Sequence, residues 1–332
     1  MTFRSFVGTG AFISLLVLST APASAQKAAA KTTKPGKAPR TADGQPDLQG
    51  YWTNATLIPL ERPQELGTKE FYTEAEAAAI EKQRIQKENS QAHTDIHYDN
   101  VIWQSENYSK VVSRRTSLIF DPPDGKVPPL SAKGQQRAAL EAQRARERDA
   151  AGSAQTRNLA ERCIAWGNEG PPMLGSTYNA NMQILQTPKN VAISHEIIHG
   201  VRIIPVDGTP HVLPDVRQLG GDSRGRWDGD TLVVDTTNFT DQTNFRTPPA
   251  TGRQDIFSSR DLHVVERFTR VDPETIVYRF TVEDPSTWTR PWSGEMLMQR
   301  IEGPIFEYAC HEGNYGLRNI LAAARQKETA GE

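Results

Sequence analysis

Apolar and polar residues alternate with a period of two along much of the C-terminal half of the chain, which is the spacing of β-strands. In residues 262–271, Val264, Glu266 and Phe268 are expected on one face and the intervening residues on the other. Tight-turn sequences separate the runs: Asp-Gly at 228–229, DPET at 272–275 and Glu-Gly at 302–303. We therefore predict an antiparallel meander over residues 181–315, with strands in 182–208, 226–239, 262–271, 276–285, 292–301 and 304–310.

Helical patterns are found in three other segments. Thr73 and Glu76 form a capping box, which predicts a helix from there to about Asn89. A second helix is predicted from Ser131 to about residue 149, and because its apolar positions are almost all alanine we expect it on the surface. A short helix over 316–328 ends the folded part. Residues 47–180 should then form an irregular, partly helical arm.

The first residues have the pattern of a secretory signal peptide. Arg4 supplies a positive charge, residues 11–20 (AFISLLVLST) an apolar core, and residues 23–25 (Ala-Ser-Ala) a cleavage site before Gln26. The sequence therefore predicts a signal peptide over 1–25, cleaved after Ala25, a disordered leader over 26–46, and a periplasmic or secreted protein. No stretch approaches the roughly 20 apolar residues of a transmembrane helix, so we expect no membrane span.

Composition and charge narrow the possible partners. The chain is 37% hydrophobic and 23% charged, as is normal for a soluble globular protein, and its formal net charge of −2 gives no basic field for nucleic acid. The sequence contains no phosphate-binding glycine loop, no dinucleotide fingerprint and no C-x-x-C pair. Nucleotide-dependent and thioredoxin-like functions therefore lack support.

The triplet Gly50-Tyr51-Trp52, the meander after it and the C-terminal helix together resemble a lipocalin or related calycin barrel. The resemblance implies that Trp52 closes one end of the barrel and that a late arginine, Arg300 or Arg318, packs over it. The long insertion over about 55–180 departs from the family pattern. We predict a mainly β fold: an antiparallel lipocalin-like β-barrel in a single domain over 47–332, with the N-terminal arm and a short C-terminal helix.

A second resemblance rests on three longer motifs. Residues 46–52 (PDLQGYW), 227–234 (WDGDTLVV) and 308–314 (YACHEGN) are similar to the start, hairpin and end of a group of exported proteins of soil bacteria. The resemblance covers most of the chain, but it implies no function.

The two cysteines, Cys163 and Cys310, allow two interpretations. In an exported protein they can pair as a disulfide, which would join residues 162–168 to residues 309–315. Alternatively, Cys310 and His311 could be metal ligands.

The segment HEIIH at 195–199 matches the H-E-x-x-H motif, in which a helix presents two histidines to Zn²⁺ and the glutamate acts as general base. Its flanks are β-branched and rich in turns, so we favour a strand in which His195 and His199 share one face with Ile197. Such a strand could carry a metal site, an acid/base site or a purely structural pair. A divalent metal is possible, and no other cofactor is expected.

A second polar cluster occupies residues 307–315 (EYACHEGNY), at the end of a predicted strand and thus near a barrel mouth. Histidine side chains titrate near neutral pH, and both histidines and carboxylates can transfer protons. The candidate catalytic residues are therefore Glu196, His199, His311 and Glu312. Aromatic rings and planar guanidinium groups suit ligand contacts, so the candidate ligand-binding residues are Tyr308, Arg202, Arg226 and Trp288.

These observations lead to three hypotheses. The first is a barrel pocket that binds a small, partly apolar molecule or converts it by acid/base chemistry of the lyase or isomerase type. The second is a metal-dependent hydrolase with His195 and His199 as ligands and Glu196 as base. The third is a structural or interaction protein of the cell envelope.

Overall fold

The structure is a computed structural model that describes residues 39–90, 113–147, 152–167, 169–175, 178–242, 244–246 and 255–330. The predicted signal peptide and most of the predicted leader lie outside these ranges. Within them, no helix combines the length and the apolar character needed to cross a membrane.

The described residues form twelve β-strands and three α-helices. The strands are β1 Gly50–Thr53, β2 Ile119–Asp121, β3 Asn181–Gln186, β4 Asn190–His195, β5 Val201–Pro205, β6 Asp222–Asp228, β7 Thr231–Thr237, β8 Asn244–Arg246, β9 Asp255–Phe257, β10 His263–Asp272, β11 Thr275–Glu283 and β12 Trp292–Arg300. The helices are α1 Glu74–Ser90, α2 Ala132–Glu147 and α3 Tyr315–Ala330.

Nine strands pair in the order β5-β4-β3-β1-β12-β11-β10-β7-β6, and every pairing is antiparallel. Strand β2 pairs with β12 beside this path, and β8 and β9 form a separate two-stranded sheet. The two ends of the path meet, because a Cβ atom built at Gly225 on β6 would lie 2.9 Å from Ile204 Cγ2 on β5. The sheet is a nearly closed antiparallel barrel, which confirms the predicted fold class.

Alternation along the strands fills the barrel with side chains. On β10, Val264, Glu266 and Phe268 are completely buried, as the sequence pattern predicts, whereas the residues between them are partly exposed. One continuous hydrophobic cluster joins the strands and includes Trp52, Tyr278 and Trp292. Burial of each large apolar side chain contributes roughly 1.5–3 kcal/mol, so this cluster is the main source of stability.

Trp52 is buried in the barrel core, and the arginine over its ring is neither of the two expected. Its ring is fully buried, and its indole N–H donates to the Leu48 carbonyl at 2.9 Å. The Arg270 guanidinium carbon on β10 lies 5.2 Å from the ring centroid. Arg300, directly opposite Trp52 across β1 and β12, is exposed, as is Arg318 on α3. The expectation of Arg300 or Arg318 is therefore wrong.

The arm before β3 holds both predicted helices at the barrel surface. The capping box of α1 is present, since the Glu76 N–H donates to Thr73 Oγ1 and the Thr73 N–H donates to Glu76 Oε2. Helix α2 begins with the Gly134 N–H donating to Ser131 Oγ at 3.1 Å. Gly134 also abuts the Thr287 carbonyl, where a Cβ atom would be only 2.3 Å from the oxygen, so glycine is required for this close contact.

The strand predicted over 304–310 does not form. Strand β12 ends at Arg300, and irregular chain and turns continue to Asn314 before α3 begins. Pro304 has no N–H for a strand ladder, and the Phe306 N–H donates to the Glu196 side chain instead, at 3.4 Å. The polar cluster of residues 307–315 therefore lies on a loop.

Candidate functional site

The HEIIH segment forms a turn rather than a helix or a continuous strand. His195 ends β4, and Ile197–His199 forms a single 3₁₀ turn before β5. Ile198 has φ of 49° and ψ of 17°, a left-handed backbone that is strained for a β-branched residue. The expectation that His195 and His199 share one face of a strand is therefore wrong. The His199 side chain lies outside the described part of the structure.

Glu196 follows β4 and is 6% exposed. Its carboxylate accepts hydrogen bonds from Asn179 Nδ2 at 2.8 Å and from Asn181 Nδ2 at 3.1 Å. The Phe306 N–H lies 3.4 Å from Oε2. Three neutral donors thus hold a buried carboxylate in one orientation, and Glu196 takes part in no ion pair within the described ranges.

The Glu196 side chain lies on an open cleft of about 840 Å³. Segments around residues 160–166, 178–181 and 307–314 form its walls. Three aromatic residues line it, and two of them, Tyr178 and Tyr308, meet edge to face with ring centroids 6.3 Å apart. The other lining side chains are mainly amides and carboxylates: Asn179, Asn181, Asn314, Glu161, Glu196 and Glu307. The cleft therefore combines apolar faces with hydrogen-bonding groups.

A disulfide joins two of these walls. Cys163 and Cys310 are bonded, with Cα atoms 5.7 Å apart, which confirms the predicted pairing. Asn314 Nδ2 reinforces the junction by donating to the Glu161 carbonyl at 2.7 Å. Helix α3, which follows, has no buried residues. The disulfide is the covalent link between the chain after residue 306 and the 160–166 segment.

Strained backbone collects around the same cleft. Four non-glycine residues in the described ranges have positive φ, and three of them are Cys163, Asn179 and Ile198. Asn179 lines the cleft, Cys163 is bonded to a lining residue, and Ile198 is two residues after Glu196. Such conformations cost on the order of 1–3 kcal/mol each and cluster at functional sites.

Glu169 lies behind the turn. Its Oε2 accepts the Trp166 N–H at 3.0 Å, and its Oε1 is buried beside Gly200. A Cβ atom at Gly200 would be 2.6 Å from Oε1, so only glycine allows this approach. Burial raises the pKa of Glu169 to about 7, and the backbone N–H groups of Trp166 and Gly200 offset only part of the effect.

His195 points into the barrel, away from Glu196. Burial lowers the pKa of His195 to about 3, and the nearby Arg202 guanidinium acts in the same direction. Arg202 itself donates to both oxygens of Glu266, at 2.7 and 3.0 Å, and the Tyr278 hydroxyl donates to Oε1 at 2.8 Å. The barrel interior thus contains a buried ion pair rather than apolar side chains alone.

The predicted site residues lie in several places. Tyr308 and Glu196 are brought together in the cleft, whereas His311 and Glu312 are exposed on the turn after the disulfide and are not among its described lining residues. Arg202 is inside the barrel with Glu266. Arg226 is on β6, opposite Val233, and Trp288 is buried against Trp292. The catalytic and ligand-binding roles given to these residues stay predictions.

A second polar cluster lies across β6, β7 and β10 and was not predicted. His211 in the loop between β5 and β6 contacts Asp222 Oδ2 through Nδ1 at 2.8 Å and Asp235 Oδ1 through Nε2 at 2.9 Å. His263 Nε2 contacts the other oxygen of Asp235 at 2.8 Å. The carboxylate raises the pKa of His263 and the histidines lower the pKa of Asp235. These contacts attach the loop between β5 and β6 to the barrel surface.

Sequence reasoning missed Asn179, Asn181 and Glu169 because no motif contains them. A local signal existed only for Asn179, since asparagine tolerates the left-handed backbone it adopts here, with φ of 45°. The described side chains contain no group of three or more His, Cys, Asp or Glu residues placed to hold a metal ion. No protein-family profile matches the chain, and comparisons with curated proteins and with solved structures also give no match.

Proposed function

We propose that the protein binds a small, partly apolar molecule in this cleft, with Glu196 contacting the polar group of that molecule. The observation that carries the proposal is the Glu196 carboxylate, which is buried, lines the cleft and is oriented by Asn179 and Asn181. Burying a carboxylate without a cationic partner is unfavourable for folding alone. The position of this carboxylate at a cleft therefore supports a role in binding.

The walls of the cleft support the same proposal. Trp166, Tyr178 and Tyr308 offer apolar faces, and the volume of about 840 Å³ falls within the usual range of roughly 300–1,000 Å³ for small-molecule sites. The disulfide between Cys163 and Cys310 fixes two walls relative to each other, so much of the binding surface is present before a ligand arrives.

Ala309→Trp tests the location of binding, because Ala309 is exposed and lines the cleft, so the indole should fill it without disturbing the core. Ala322→Trp is the matched control on the exposed surface of α3, outside the described lining. A fragment set of small amines, alcohols and acids would be screened by ligand-observed NMR. Fragments should bind the unmodified protein and the Ala322→Trp variant and lose binding to Ala309→Trp. Absence of any binder, or equal binding to Ala309→Trp, would overturn the proposal.

Acid/base conversion of the bound molecule is the second candidate, favoured by the strained residues around Glu196. A fragment that binds and carries a weakly acidic C–H bond should exchange that hydrogen for deuterium in D₂O faster with the protein present. Glu196→Gln should abolish the acceleration, while Glu302→Gln, the same change at an exposed position outside the described lining, should not. An unchanged exchange rate in Glu196→Gln removes this candidate.

We also propose that the chain acts in the periplasm or outside the cell, supported by the signal-peptide pattern and by the disulfide. Amino-terminal sequencing of protein from the periplasmic fraction should begin at Gln26. Full-length protein confined to the cytoplasm would contradict this.

A further inference from the structure

We infer that the cleft selects a small organic cation, a protonated amine attached to an apolar or aromatic body. The inference rests on the proposed function, because it names the class of molecule that the cleft binds. Three independent properties of the cleft support it: its charge, the direction of its hydrogen bonds and its aromatic faces.

The described lining residues carry only negative charge. Glu161, Glu196 and Glu307 line the cleft, and no lysine or arginine does so. Glu161 is neutralised by Arg157, whose Nη2 lies 2.7 Å from Oε1. Glu196 and Glu307 have no ion-pair partner among the described residues. A cation entering the cleft would therefore meet an uncompensated, partly buried carboxylate, where the attraction exceeds that of an exposed pair.

The pattern of hydrogen bonds in the cleft also favours a cationic ligand. A carboxylate can only accept, so both Asn179 and Asn181 must turn their amide N–H groups towards Glu196. A carboxylate has about four acceptor sites, and Asn179, Asn181 and the Phe306 N–H supply only three donors to Glu196. A ligand that donates hydrogen bonds, as an ammonium group does, can use the remaining acceptor capacity of Glu196.

Aromatic faces complete the arrangement. Trp166, Tyr178 and Tyr308 line the cleft, and the last two are nearly perpendicular at 81°. The negative face of an aromatic ring attracts cations, most strongly where water is displaced. The same rings pack against an apolar body, so one molecule can use both properties. A carboxylate ligand would gain the packing and be repelled by Glu196 and Glu307.

Three probes of the same shape separate charge from packing: phenethylammonium, 2-phenylethanol and 3-phenylpropanoate. Isothermal titration calorimetry of the disulfide-bonded mature protein near pH 7 would measure each affinity. The ammonium probe should bind at least about tenfold more tightly than the alcohol, and the propanoate should bind most weakly. Glu196→Gln should weaken the ammonium probe by about tenfold and leave the alcohol nearly unchanged, whereas Glu302→Gln should change neither.

The outcomes separate the two proposals. Equal affinities for the ammonium and alcohol probes, both lost in Ala309→Trp, would keep the cleft as a binding site and overturn its selection of cations. Tighter binding of the propanoate, or binding of none of the three probes, would also overturn the cation inference. The binding function itself is decided by the fragment screen. Circular dichroism of Glu196→Gln must match the unmodified protein, and if that variant unfolds, Glu307→Gln provides the second test, because Glu307 is exposed and lines the cleft. Loss of that carboxylate should weaken ammonium binding and leave the alcohol nearly unchanged, and unchanged ammonium binding would contradict the inference.

Discussion

Arg202 donates two hydrogen bonds to Glu266 inside the barrel, and Tyr278 donates a third to the same carboxylate. Glu266 is completely buried, so the pair is strongly desolvated. Removal of one partner leaves an uncompensated charge, which typically costs about 3–5 kcal/mol.

We predict that Glu266→Leu lowers the free energy of unfolding, measured by urea denaturation, by about 3–5 kcal/mol. The double variant Glu266→Leu with Arg202→Met should recover most of the loss, because no unpaired charge is left. Asp228→Asn breaks an exposed pair with Arg267 and serves as the control, with little expected effect. A double variant as unstable as Glu266→Leu would show that the pair is needed for more than mutual compensation.

The contact of Arg270 with Trp52 gives a second prediction. Arg270 is almost completely buried, and it donates to the backbone carbonyls of Asp47 and Pro273 at 2.8 and 2.6 Å. Arg270→Met should lower stability by about 2–4 kcal/mol through loss of the cation–π contact and these charged hydrogen bonds. Arg300→Met should have little effect, since that side chain is exposed. Thermal unfolding of both variants measures the two losses of stability. A larger loss in Arg300→Met than in Arg270→Met would indicate that Arg300 stabilises Trp52.

The disulfide provides a third prediction that needs no substitution, because Cys163 and Cys310 are the only cysteines in the chain. Reduction opens a loop spanning a sequence separation of 147, which the chain-entropy treatment values at up to about 5 kcal/mol. We expect reduced protein to unfold at lower urea concentration and to lose binding in the cleft. Cys163→Ser with Cys310→Ser should behave alike. Unchanged binding after reduction would show that the two walls hold their places without the crosslink.

The His263–Asp235 contact makes stability depend on pH. Asp235 raises the pKa of His263, so the folded state holds the proton more tightly than the unfolded chain does. The stabilisation that protonated His263 contributes to the free energy of unfolding is fully present below about pH 6.5. It is lost as pH rises through the higher folded-state pKa. His263→Gln should remove this part of the decline in unfolding free energy as pH rises above about 6.5. His311→Gln, on the exposed turn, should keep it.

Glu169 acts in a lower pH window. Its folded-state pKa is about 7 compared with an ordinary value of 4.5, so stability falls as pH rises from 4.5 to 7. Above pH 7, ionisation of the buried Glu169 lowers the free energy of unfolding by about 3 kcal/mol. Glu169→Gln keeps the acceptor for the Trp166 N–H and cannot ionise. Its unfolding free energy should exceed that of the unmodified protein near pH 8 and match it near pH 4, and a gap that does not change with pH would contradict the assignment.

Local patterns were sufficient to predict most of the barrel. The alternation of Val264, Glu266 and Phe268 and the capping box at Thr73 and Glu76 depend on neighbours in sequence, and both were confirmed. The predicted strand over 304–310 failed because Pro304 and the contact of Phe306 with Glu196 outweighed strand propensity.

The candidate site was predictable only in part. Glu196, Tyr308 and the cysteines stood out by residue type, but their grouping depends on partners more than 100 positions away, such as Phe306 for Glu196. Asn181 lies within an ordinary strand, and nothing in its neighbourhood marks it as a ligand contact. Arg202 was assigned to a ligand because nothing in the sequence shows that it pairs with Glu266, 64 positions further along the chain.

Along one line of the barrel wall, two neighbouring strands are not paired by backbone hydrogen bonds. Within the described residues no backbone ladder joins β5 to β6, and side chains such as Ile204 and Val206 close the gap against Gly225. Amide hydrogens that face this line lack interstrand acceptors, so exchange with solvent should begin there, well before the interior of β10 and β11 opens. Gly225 is the residue that lets the two edges approach, and a methyl group at that position would wedge them apart. The boundary between β5 and β6 is thus where we expect the barrel to open first.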